Sequence, residues 1–204
     1  MNRLSIDIRL ITGLVIAHLL MYLTFQNKAI FWYMFTATML LLMSYAMYHL
    51  KTDDSCSFLT YSFYGIISGI FLFALFWLGN FFIDFFHLSV RSEISKLYRI
   101  FSPTQIWHYI VLFLFVIPAE ELFWRGFVQN RLTATKLNIK YSVILAAILY
   151  ASVQLYSGYF IHFFAALIAG LFWGFLYAWK RNVRVIIISH LVFDLFLFIL
   201  FPFR

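Results

Sequence analysis

Apolar residues run along this chain in seven long stretches, near residues 10–25, 30–50, 58–87, 105–131, 141–156, 160–179 and 184–203. A helix needs roughly 17–25 such residues to cross a bilayer. The third stretch is long enough to cross at a tilt, and the fifth is short for a full crossing. Polar residues collect in the breaks, most clearly in KTDDSCS at 51–57, a turn between spans. The pattern predicts an all-α, polytopic membrane helical bundle with about seven transmembrane helices.

One break has its own periodicity. In HLSVRSEISKLYRIFSPT, Val90, Ile94, Leu97, Tyr98 and Phe101 recur at helical spacing, opposite Arg91, Glu93, Lys96 and Arg99. This predicts an amphipathic helix over 89–102, either lying at the membrane interface or packed on its own protein as a connector. No internal repeat, low-complexity tract or soluble domain interrupts the series.

Composition agrees with the pattern. Hydrophobic residues make up 64% and charged residues 11%, with a mean hydropathy of +0.90. A soluble domain is about half apolar and about a quarter charged. The net charge of +7 is spread between spans rather than gathered on one face, which excludes a nucleic-acid partner. Arg3, Arg9, Lys51, Arg131, Lys136, Lys140, Lys180, Arg181 and Arg184 fall on one side, and Lys28, Arg91, Lys96, Arg99 and Arg204 on the other. Nine against five places the N-terminus in the cytoplasm. No A-x-A-like cleavage site follows the first apolar run, so it is expected to stay as a span. Cys56 is the one cysteine, so no intrachain disulfide forms.

The fourth stretch contains PAEELFWRG at 118–126. A charged side chain at mid-bilayer costs at least about 2.5–3.5 kcal/mol on insertion scales, so such groups face the interior and find partners. Glu121 and Arg125, four apart, share a helical face and can pair. Glu120 points about 100° away and addresses a different neighbour. A carboxylate without a cation beside it is free to act as a general base. In the last stretch His190 and Asp194 are also four apart, which suits a histidine oriented to hold a water or a metal. By helical rise, Glu120 lies about 22 Å into its span and His190 about 9 Å into a span entered from the opposite face. The two meet at nearly one level, on the cytoplasmic half. Buried charges can also serve an ion relay, but no repeat symmetry or paired broken helices accompany them.

These residues carry a family resemblance. EELFWR resembles the EExxxR signature of the CPBP (CAAX protease and bacteriocin-processing, or Abi) intramembrane proteases, and HLVFD resembles their final HxxxN/D signature. RGFVQNRL and GLFWGFLYAWKRN are similar to the family as well. The resemblance covers roughly residues 105–200, dividing the chain into N-terminal spans with the interfacial helix (1–104) and a CPBP-like core (105–204).

The resemblance implies a multi-pass protein of a bacterial plasma membrane, acting on a membrane-associated peptide or protein. Glu120 would activate water, with Glu121 and Arg125 organising the site and His190 and Asp194 opposite. The family's middle FxxxH motif is degenerate here: Tyr150 to Gln154 reads YASVQ. Glutamine can hold a water but is a poor metal ligand. Zinc is therefore disfavoured as a cofactor, since such sites generally want three protein ligands. His162 would stand in only if the intervening turn folded it back. As the start of the next helix it is otherwise an interfacial residue. His18, His49, His87 and His108 read as structural. The missing histidine keeps a second reading open, a catalytically impaired relative that partners another membrane or cell-wall protein.

Overall fold

The computed structural model describes residues 7–50, 57–135 and 137–203. Cys56 and most of the 51–57 turn, with Arg3, Lys51, Lys136 and Arg204 of the charge count, lie outside the described residues. Among those described there is no strand. The helices in chain order are α1 (Ile8–Gln26), α2 (Phe31–His49), α3 (Phe58–Phe85), α4 (Val90–Phe101), α5 (Ile106–Ala134), α6 (Ile139–Ser157), α7 (Phe160–Lys180) and α8 (Val183–Leu200). All but α4 are long and apolar enough to cross a membrane, and these seven match the seven apolar stretches.

Alternating crossings put the starts of α1, α3, α6 and α8 on the N-terminal face. Each of those starts has a side-chain cap, from Asp7, Ser57, Asn138 and Asn182 respectively, which satisfies amide donors that the helix leaves unpaired. Arg131, near the end of α5, reaches Asp7 on this same face at 3.0 Å.

Apolar packing forms two clusters. One joins α1 and α2 to α5 and α6 and includes Met21, Leu42, Phe123 and Tyr150. The other joins α3 to α7 and α8 and includes Leu72, Trp173, Ile186 and Phe193. α3 and α8 pack very closely: a Cβ on Gly69 would sit 2.5 Å from the backbone oxygen of Ser189. Beyond Phe73 no residue of α3 is buried.

α4 lies across the far face with its polar side outward. Ser92, Ser95, Lys96 and Arg99 are exposed, while Ile94, Leu97, Tyr98 and Phe101 line a cavity beneath the helix. Its first turn is tied to both neighbours. Arg91 reaches Asp84 at 3.3 Å and Asn80 at 2.8 Å on α3, and Glu93 accepts the Ile161 amide of α7 at 3.3 Å. The apolar stripe faces the protein and the polar side faces outward, a placement that fits an amphipathic helix at the interface.

Replacing Gly69 by alanine forces α3 and α8 apart, so Gly69→Ala should cost about 1–3 kcal/mol. Gly79→Ala, where an added Cβ meets nothing within 4 Å, should be neutral or slightly stabilising. Thermal unfolding of the detergent-purified protein measures both.

Candidate active site

Pro118 sits within α5 and has no amide hydrogen to donate. The turn just before it, Leu112–Val116, widens to π geometry, with the Ile117 amide reaching back to the Leu112 carbonyl. A short α segment, Ile117–Glu121, follows, and then a second π segment, Leu122–Gln129. The glutamates and Arg125 therefore stand on a helix interrupted on both sides of Ile117–Glu121, a feature frequent at functional sites.

The two glutamates face different surroundings. Glu121 is fully buried. Its Oε1 accepts from Arg125 Nη1 at 3.2 Å and from His190 Nδ1 at 2.7 Å. Arg125 Nε lies 3.2 Å from Oε2, an ion contact that falls short of hydrogen-bond geometry. The guanidinium is sandwiched by rings, 4.5 Å from the Tyr150 centroid and 5.3 Å from that of Trp173, which supplies cation–π attraction in a dry setting. Glu120 instead lines the cavity, with Oε2 4.0 Å from His190 Nε2.

His190 is held on one edge and one face. A carboxylate only accepts, so Nδ1 carries the proton donated to Glu121. The ring stacks on Trp173 with centroids 4.0 Å apart, and Trp173 is fixed by donating to Ser189 Oγ at 3.1 Å. Nε2 is thereby aimed at the cavity, 3.6 Å from Asp194 Oδ2 and 4.0 Å from Glu120 Oε2. Both gaps exceed a direct hydrogen bond.

Gln154 reaches the same cavity by a change of helical form. α6 tightens to 3₁₀ geometry over Val153–Ser157 and stops at Gly158 with φ 80°, a conformation that glycine adopts without steric cost. His18 braces this turn from α1, bonding Tyr156 at 3.0 Å and Ser152 at 3.4 Å on either side of Gln154.

Of the sequence-predicted residues, Glu120, Gln154, His190 and Asp194 line one cavity of about 520 Å³, with Glu121 and Arg125 directly behind them. His162, third residue of α7, also lines it, against the Phe25 ring at 6.1 Å. Tyr150 and Trp173 are the additions that sequence reasoning missed. Their signals were present but local: Tyr150 opens the YASVQ segment, and Trp173 sits between Gly170 and Gly174. His108 accepts from the Thr104 and Gln105 amides as a helix-start cap, and His49 bonds the Tyr45 carbonyl.

One expectation needs correction. The helical-rise arithmetic set the shared level on the N-terminal half. Glu120 lies midway along Ile106–Ala134, and the cavity extends from it towards the opposite face, that of α4. Its walls come from the α4-side halves of the spans, including Phe31 and Trp32 at the start of α2.

Fold and geometry thus define a multi-pass all-α membrane protein with a carboxylate–imidazole cluster at mid-span. Residues 102–196, just under half of the chain, match the family model described as type II CAAX prenyl endopeptidase Rce1-like. That match contains the whole cluster and bears out the CPBP resemblance of this region, a family of intramembrane proteases. No curated protein and no solved structure matches the chain.

Removing Arg125 leaves the Glu121 charge buried with a single partner. Arg125→Leu should destabilise the protein by about 3–5 kcal/mol, and pairing it with Glu121→Gln should recover part of that loss. Thermal unfolding of both variants in detergent checks the order.

Proposed function

We propose that the chain is an intramembrane endopeptidase in which Glu120 activates a water held against His190 and Gln154. The observation that carries this reading is the paired geometry of Glu120 Oε2 and His190 Nε2, 4.0 Å apart across the cavity. That separation is close enough for one water to engage both. The water donates one hydrogen to Glu120 and the other to Nε2, and accepts from the Gln154 amide. As its oxygen attacks a peptide carbonyl, Glu120 takes a proton. It then delivers that proton to the departing amide nitrogen, leaving a carboxylic acid and an amine. Glu121 and Arg125 are positioning residues that hold His190, and Asp194 sets the other edge of the water site.

A zinc ion does not fit this donor set. Among the described residues no three His, Cys, Asp or Glu side chains are grouped to hold a metal. His190 has one ring nitrogen committed to Glu121, and Gln154 is a weak donor. No step passes through a metal.

In this reading residues 105–204 form the catalytic core and residues 1–104 its N-terminal support. The N-terminus lies in the cytoplasm of a bacterial plasma membrane, and the substrate is a membrane-associated peptide or protein. Glutamine at position 154 favours a second reading, a relative impaired in catalysis that serves as partner of another membrane or cell-wall protein.

Glu120→Gln should fold and insert normally yet lose about 10²–10⁴ in turnover, the scale of a positioned base. Gln154→His should preserve or raise activity. Complementation of a deletion strain reads both, with insertion checked by protease protection. Full rescue by correctly inserted Glu120→Gln supports the partner reading instead.

A further inference from the structure

Water attack on a peptide carbonyl moves the π electron pair of that carbonyl onto its oxygen, and the new negative charge needs a hydrogen-bond donor. Most polar groups of the cavity cannot supply one. Glu120 and Asp194, as carboxylates, only accept. His190 gives its hydrogen to Glu121 from Nδ1, and its Nε2 and the Gln154 amide serve the water. Trp173 donates to Ser189, and Tyr98 to the Leu197 carbonyl. The other donors on the wall stand towards α4. Trp32 stacks on His108, and Arg91 holds Asn80. Ser102 donates to the Tyr98 carbonyl, and His162 lies against Phe25.

One donor remains at mid-span. Tyr150 lines the cavity, and its ring is fixed on three sides. It meets Trp124 edge-on with centroids 5.6 Å apart. The Arg125 guanidinium lies 4.5 Å from its centroid. At Gly170 the α7 backbone comes so near that an added Cβ would sit 3.1 Å from Tyr150 Cδ1. Trp124 and Arg125 stand about one helical turn beyond Glu120 and Glu121, so the ring lies beside the two carboxylates. Among the described residues the Tyr150 hydroxyl has no hydrogen-bond partner, and it is not one of the sealed polar atoms. It opens on the cavity, and Glu120 is the charged group that acts on it most strongly. A cation against the ring face draws on its π electrons, which makes the phenol hydrogen a better donor. The FxxxH pattern has phenylalanine at this position, so the hydroxyl belongs to this chain and not to that motif.

We propose that Tyr150 is a further catalytic residue, whose hydroxyl donates to the carbonyl oxygen of the scissile bond as the tetrahedral intermediate forms. The water oxygen bonds to the carbonyl carbon, and one water proton passes to Glu120. The π pair moves to the carbonyl oxygen, which accepts from Tyr150. On collapse that pair re-forms the C=O bond, and the C–N bond breaks with its electrons going to nitrogen. The nitrogen takes the proton from Glu120, and Tyr150 keeps its own hydrogen throughout. Because the ring is already fixed, the donor needs no reorientation as charge develops.

The inference rests on Glu120 acting as the base, and the experiment separates the two. Tyr150→Phe keeps the ring and removes only the O–H. Each form is expressed as a pulse in a deletion strain, and new peptide N-termini in its membranes are counted over time by mass spectrometry. No substrate has to be chosen in advance. The unaltered protein should generate termini that Glu120→Gln does not. Tyr150→Phe should generate the same termini about 10²–10³-fold more slowly, with thermal unfolding in detergent unchanged. A normal rate for Tyr150→Phe beside an inactive Glu120→Gln overturns the role of Tyr150 and leaves that of Glu120 standing. Slowing that comes with a fall in thermal stability places Tyr150 in the scaffold and also overturns it. If no terminus distinguishes the unaltered protein from Glu120→Gln, the base is lost and the role of Tyr150 falls with it.

Discussion

A carboxylate with no solvent exposure, Glu121, determines how this structure is held together. Its charge is tolerable inside a membrane only with partners, and it has two, one on its own helix and one from the last span. Arg125 lies on α5, while His190 comes from α8, sixty-nine positions away in sequence. That second contact ties α5 to α8 beside the seam where α6 and α7 also pack together, and Gln129 of α5 donates to the Gly174 carbonyl of α7 on the same seam. Losing the Glu121 contact would free His190 from the orientation that aims Nε2 at the cavity.

The same contact divides the labour of two adjacent glutamates. Consecutive residues on a helix point about 100° apart, so one carboxylate can be committed to structure while its neighbour meets the cavity. Because Glu121 takes Nδ1, His190 has one orientation, with Nε2 towards Glu120. Trp173 and Ser189 hold the ring plane. Little is left to rearrange before reaction, the condition under which fixed polar groups are most effective.

Much of this was legible in the sequence, for physical reasons. Lipid enforces long apolar runs, so all seven spans could be read directly. Four-residue spacing forces Glu121 with Arg125, and His190 with Asp194, onto shared faces whatever the tertiary fold. The 2.7 Å bond between Glu121 and His190 was not legible. No local periodicity encodes a contact between distant helices, and the sequence set His190 beside Asp194 and level with Glu120, not against Glu121. The direction of the cavity was missed because α4 and aromatic residues at the start of α2 set it, and none of these belongs to a motif.

The central claim is that Glu121 orients His190 so that Nε2 and Glu120 share one water. An experimental density map, at a resolution that shows ordered solvent, tests it most directly. The account predicts a water within hydrogen-bond distance of both Glu120 Oε2 and His190 Nε2, with Nδ1 still bonded to Glu121. A map with His190 turned away from Glu121, or with Glu120 bonded directly to protein groups and no room for solvent between them, would contradict it.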